Sequence, residues 1–229
     1  MTRGTLARVW FALTGLVVVV GLAVQLPVAV TAPDRHFHGA AATVLNVFCY
    51  FTVQSNVLVA LVSLLLARRP ARTSELFRVV RLMALVGIVV TFAVYHVVLA
   101  PLHRLTGWAE LANQLLHTVS PLMCLVGWVV FGPRGWADRR TAGWSLLFPA
   151  CWTVFTMIRG PIVDFYPYPF IDPRRQGYLQ VTVNCVLVLL VILAVTAAAV
   201  LADRALSRRY PPQPPTPTAQ PAAEAAERS

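Results

Sequence analysis

Six long apolar runs dominate this chain, and they constrain its fold more than any other feature. They cover roughly residues 10–30, 41–67, 79–100, 111–131, 141–159 and 178–202. Several exceed the roughly 18 residues that mark a membrane-spanning helix. A bilayer core offers no water to exposed backbone groups, so such runs must satisfy their own hydrogen bonds as helices. The expected fold is therefore all-α: a polytopic bundle of about six transmembrane helices over 1–206. Composition agrees, since 58% of residues are hydrophobic and 12% are charged, about half the charge of a soluble domain. The first run is too long for the apolar part of a signal peptide, and Pro33 makes a poor processing site, so it reads as the first span.

Charge sets the expected orientation. The net charge is +10, and every basic residue is arginine. If the N-terminus is cytoplasmic, fourteen arginines fall inside: Arg3, Arg8, Arg68, Arg69, Arg72, Arg78, Arg81, Arg134, Arg139, Arg140, Arg204, Arg208, Arg209 and Arg228. Four fall outside, Arg35, Arg104, Arg174 and Arg175, with Arg159 near an outer helix end. That bias places both termini in the cytoplasm. It also accounts for the basic charge without nucleic acid, because the chain lacks a soluble basic domain. The all-arginine, Ala/Val/Leu-rich usage resembles that of a GC-rich bacterial genome, and the expected location is the bacterial cytoplasmic membrane. Residues 207–229, rich in Pro and Ala, are expected to form a disordered cytoplasmic tail.

Polar residues inside spans are costly and therefore informative. Thr52, Ser55 and Asn56 stand at i, i+3 and i+4, on one helix face. Asn113, His117 and Ser120 share another. Thr91, Tyr95 and His96 end the third span, and Thr156 and Arg159 end the fifth, with Asp164 following. Gln180, Thr182 and Asn184 begin the sixth. With alternating spans, all five groups fall in the outer half. At 1.5 Å per residue, His117 lies about 9 Å and Thr52 about 16 Å below the outer ends of their spans. Hydroxyl and amide side chains commonly glue helices together; an ionisable residue such as His117 points to function. Arg159 is placed either to snorkel to the headgroups or to hold Asp164 or a ligand carboxylate. The loop carrying Phe165, Tyr166, Tyr168 and Phe170 between prolines reads as a stiff cover at the headgroup boundary.

A hydroxyl beside an imidazole can act as a nucleophile–base pair. Thr52 is the candidate nucleophile and His117 the candidate base. Asn56, Asn113 or Tyr95 would orient the histidine or stabilise an oxyanion. No G-x-S-x-G, H-E-x-x-H or Walker motif occurs. Cys49, Cys124, Cys151 and Cys185 form no C-x-x-C pair. His36-Phe37-His38 lacks the cysteine or carboxylates that would complete a metal site. No cofactor or metal is expected.

Three stretches carry a family resemblance: Tyr50-Phe51-Thr52-Val53-Gln54-Ser55-Asn56, residues 111–121 around Asn113 and His117, and Tyr166-Pro167-Tyr168-Pro169-Phe170. They resemble the bacterial Pr6Pr family of membrane proteins and, more distantly, the FAR-17a/AIG1-like (androgen-induced) family. The resemblance spans residues 10–205. The animal branch implies an intramembrane hydrolase of lipid esters, fatty acid esters of hydroxy fatty acids, with its threonine at Thr52 and its histidine at His117. Gln114 departs from that branch, which has a second histidine there, and the Gln-Ser-Asn after Val53 departs from its threonine motif. Three readings follow: a lipid-ester hydrolase, a non-catalytic binder of a lipid or small hydrophobic ligand, and a transporter. The absence of a sequence repeat and of mid-span breaks argues against the transporter. The partners expected are membrane lipids. Oligomeric state is not legible.

Overall fold

A computed structural model of the chain describes residues 1–33, 36–70, 72, 74–102 and 104–209; the expected tail from Tyr210 onward, Arg35 and His103 lie outside them. Among the described residues the chain is helical and carries no strand. Six helices are long and apolar enough to cross a membrane: Arg3–Thr31, Phe51–Arg68, Glu75–Leu102, Gly107–Phe131, Arg139–Val163 and Pro173–Arg209. The chain is a multi-pass membrane protein.

The first span is α1 (Arg3–Thr31), capped by the Thr2 hydroxyl on the Thr5 amide. The second differs from the continuous helix expected over 41–67. It is a short α2 (Ala40–Val47), a break at Phe48-Cys49-Tyr50, and then α3 (Phe51–Arg68). At 18 residues α3 is about 27 Å long, enough to span alone. Thr52 therefore sits in the first turn of its helix instead of about 16 Å down it.

The third span is α4 (Glu75–Val94), which Ser74 caps through the Phe77 amide. It continues through a π-helical turn, Tyr95–Leu99, and a 3-10 turn, Ala100–Leu102. The fourth is α5 (Gly107–Gln114), a second π turn (Leu115–Val119) and α6 (Ser120–Phe131). The fifth is α7 (Arg139–Ser145) and α8 (Leu147–Val163), running past the expected end at residue 159 and capped by Asp164 in the left-handed region. The sixth is α9 (Pro173–Arg209), interrupted at Gly177, φ 75°. It extends through residues 207–209, which had been expected in the tail.

The helices alternate, so the chain has two chemically distinct ends. At one, Arg3 donates to the Val130 carbonyl, and Asp203 accepts from the Ala137 amide at 2.9 Å. This is the arginine-rich end. At the other, the His36 ring bonds the Val163 carbonyl at 3.2 Å, and Phe37, His36 and Tyr50 pack around Phe165. This is the aromatic end.

The tightest packing joins α1, α3 and α4 around Phe11, Val18, Val59, Leu66 and Ile88. Small residues permit the close approach, as is usual in bilayers. A Cβ on Gly15 would lie 2.9 Å from Leu64, and one on Gly87 2.8 Å from the Ser55 hydroxyl. By contrast α8 is held mainly through aromatic side chains. Phe148 stacks on Phe51, and Trp152 packs on Phe51 and donates to the Cys49 carbonyl at 2.9 Å.

Candidate functional site

The two π turns lie against each other. The Asn113 amide donates to the Tyr95 hydroxyl at 2.5 Å, and the Tyr95 ring stacks on His117 with centroids 4.3 Å apart. Next to them His96 Nε2 and the Thr118 hydroxyl are 3.2 Å apart. A π turn widens a helix by one residue and tends to occur where side chains are being aimed. Here it aims Tyr95 and His117 at each other. His117 Nδ1 lies 3.2 Å from the Asn113 carbonyl. A carbonyl only accepts, so Nδ1 carries the proton, and in the neutral ring Nε2 holds the free lone pair.

Thr52 arrives from α3. Both its amide and its hydroxyl are 3.1 Å from the Tyr168 hydroxyl. Tyr168 is buried, packed on Tyr50, Trp152 and Phe170. The loop from Asp164 to Asp172 is thus more than a cover, because it inserts one phenol between the helices. Burial pushes the Tyr168 phenol upward and the Tyr50 phenol up to about 12, so both stay neutral hydroxyls.

Two cavities meet at this point. The first, about 790 Å³, opens at the aromatic end and is lined by Thr52, Tyr95, Asn113 and His117 among others, with Asn46, Tyr50, His36, Asp164, Asp172 and Arg174 toward its mouth. The second, about 480 Å³, lies among α3, α4, α8 and α9, with almost entirely apolar walls: Phe51, Val90, Val94, Pro149, Trp152, Met157, Val188 and Ile192. Thr52, Tyr95, Leu99 and Tyr168 line both. They form the partition between a polar vestibule and an apolar chamber.

The remaining expected residues separate into those that build this site and those that do not. Asn56 is fully buried behind it, donating to the Thr52 carbonyl at 2.9 Å and the Leu116 carbonyl at 3.0 Å and accepting from Ser120 at 2.5 Å. It ties α3 to the second π turn. Ser55 is buried against Gly87 without a hydrogen-bond partner. His96 is exposed on the outer side of the bundle. Asn184 donates to the Phe170 carbonyl and Gln176, anchoring the loop away from the vestibule. Arg159 does not pair with Asp164: it donates to Asn46 at 2.9 Å and lies over the Phe37 ring. Asp164 instead pairs with Arg174. Within the chamber wall the Thr91 hydroxyl is buried without a partner, whereas Thr153 and Thr182 bond their own helices.

Sequence reasoning missed Tyr168, Asn46 and Asp172. Tyr168 was visible as an aromatic of the Tyr-Pro-Tyr-Pro-Phe stretch, but no local signal tells an inserted ring from a surface one. Asp172 is buried and bonded twice by the Arg174 side chain, at 3.0 and 2.9 Å, and once by its amide. The guanidinium hydrogen bond holds its carboxyl below the ordinary 3.8. A carboxylate with a depressed pKa adds stability that is complete above its unfolded value and is lost as pH falls through its folded value. The loop should therefore open on acidification below about pH 4. Asp172→Asn should be less stable at neutral pH and should lose that acid step, read as unfolding midpoint against pH.

No family model, curated protein or solved structure matches the chain. Among the described residues no cluster of three or more metal-ligating side chains occurs.

Proposed function

We propose that this protein is an intramembrane hydrolase of lipid-like esters, with Thr52 as nucleophile and His117 as base. The observation that carries the reading is the shared partition. Thr52 and His117 line one vestibule, and Thr52 also borders an apolar chamber suited to the alkyl part of an amphiphile. Ligand entry would exchange the Thr52–Tyr168 hydroxyl bond for one from Thr52 toward His117 Nε2. Thr52 Oγ then attacks the ester carbonyl as its proton passes to Nε2. The Tyr95 hydroxyl and the positive end of α3 stabilise the oxyanion. Collapse expels the alkoxide, which takes the proton from His117, and water then hydrolyses the acyl-Thr52 ester. The more distant resemblance to the animal branch of the FAR-17a/AIG1-like family supports the same chemistry. With the arginine-rich end cytoplasmic, as the positive-inside rule has it, both termini are inside and the vestibule faces out of a bacterial cytoplasmic membrane.

One observation favours a second reading, binding without turnover: the Thr52 hydroxyl is engaged by Tyr168 and not by the histidine. A fluorophosphonate probe decides between the two. The hydrolase should be labelled, Thr52→Ala should abolish labelling, and His117→Ala should slow it about 10²–10⁴-fold, the usual worth of a general base. Labelling unchanged in both variants, or saturable lipid binding with no labelling at all, would leave the binding reading.

A further inference from the structure

The apolar chamber has three properties that together specify its occupant. The first is depth. It begins at the Tyr95–Tyr168 partition and reaches Val90 and Ile192. Val90 is about 18 Å below the Leu102 end of its span and Ile192 about 21 Å below Tyr178, at 1.5 Å per residue. A hydrocarbon core is about 30 Å thick, so the chamber runs from the headgroup boundary to slightly beyond the midplane. That is the extent of one leaflet's acyl chains.

The second property is its side opening. Val154 on α8 and Val186 and Leu189 on α9 line the chamber and are also about half exposed, at 58%, 50% and 49%. The chamber thus separates α8 from α9 and communicates with the surroundings of the bundle at membrane depth. The third is its volume of about 480 Å³, within the 300–1,000 Å³ of ordinary ligand pockets. A bulk-soluble polar ligand would find few partners in these walls. An alkyl chain already dissolved in the leaflet could slide in sideways without crossing water.

The geometry points to the chamber as a binding site for a single acyl chain, entered laterally between α8 and α9 from the leaflet at the aromatic end. Its polar end stops at the Thr52–Tyr168 hydroxyls. The chamber supplies the chain-recognition half of the proposed hydrolase, and to that extent the assignment rests on that reading; the binding measurement below does not require catalysis.

The test uses the full chain in phosphatidylcholine nanodiscs and a palmitate carrying a diazirine on its alkyl chain. Photolysis should cross-link chamber residues such as Thr153, Met157 and Cys185, and excess unlabelled palmitate should remove those adducts. Ala150→Trp and Leu189→Trp, which fill the rim from opposite helices, should each lower them about tenfold. Both should also abolish any preference for a long-chain over a short-chain fluorophosphonate. Adducts confined to lipid-facing positions such as Leu13 and Val20 of α1, or chamber adducts that palmitate does not compete away, overturn the assignment, and the competition arm needs no variant to fold. If Thr52→Ala stays labelled while the competable adducts persist, the hydrolase reading fails and the acyl-chain site stands.

Discussion

Asn56→Leu should destabilise the protein by about 2–4 kcal/mol and take the candidate site apart with it. Leu has the branching of Asn but is bulkier, so no cavity forms and some of the loss is overpacking. What goes are two donated bonds, to the Thr52 and Leu116 carbonyls, and one accepted from Ser120. Hydrogen bonds between membrane helices average only about 0.6 kcal/mol, since the separated helices find other partners. The estimate is larger here because Asn56 makes three bonds in a fully buried position, and a buried group left unpaired costs about 1–3 kcal/mol. Ser120→Ala removes one bond accepted by Asn56 and leaves both Asn56 donations in place, so it should cost clearly less. Thermal unfolding of the two variants in the same detergent checks the order. Asn56 joins the helix of Thr52 to the π turn of His117, so fluorophosphonate labelling should fall in Asn56→Leu even below its unfolding temperature. Stability equal to wild type would show that the bonds are replaced by packing.

Arg81→Met should produce a loss of similar size at the opposite end. Arg81 is buried, 6% exposed, and donates to the Gly132 carbonyl at 2.7 Å and the Pro133 carbonyl at 2.6 Å. It therefore caps the end of α6, where carbonyls lack helical partners and the dipole favours a cation. Trp136 packs between Arg78 and Arg81, at 5.1 and 5.8 Å from the ring centroid. Hydrogen bonds from a charged donor are worth about 1.5–3 kcal/mol each, and relief from desolvating the guanidinium offsets part of the loss. A net cost of about 2–4 kcal/mol follows, with faster proteolysis near Gly132–Asp138. Labelling at Thr52 should be unchanged at temperatures where the variant is folded, because Arg81 touches nothing in the vestibule. That contrast with Asn56→Leu separates a remote stabilising contact from one that holds the site.

Arg81 also shows how far the sequence could be read. By type and position it belongs to the arginine-rich end, as the charge pattern implied. Its second role, capping a helix end 51 residues away in the chain, has no local signature. The break at 48–50 was equally hidden. Residues 41–67 are apolar throughout, and hydropathy does not distinguish one long helix from a short one followed by a spanning one. The π turns escaped for a similar reason: Tyr95–Leu99 and Leu115–Val119 contain nothing that forbids α-helix. They arise where Tyr95, Asn113 and His117 must meet.

The number of spans, their helical nature and the choice of His117 and Thr52 as residues sharing one region follow from the chain itself. Apolar length and the cost of buried polar groups act locally, one helix at a time. The partition between vestibule and chamber depends on Tyr168 reaching Thr52 from a loop 116 residues away. So does the choice of Asp164 for Arg174 and of Asn46 for Arg159. Those pairings are settled by which helix ends lie side by side, and only the tertiary structure decides that.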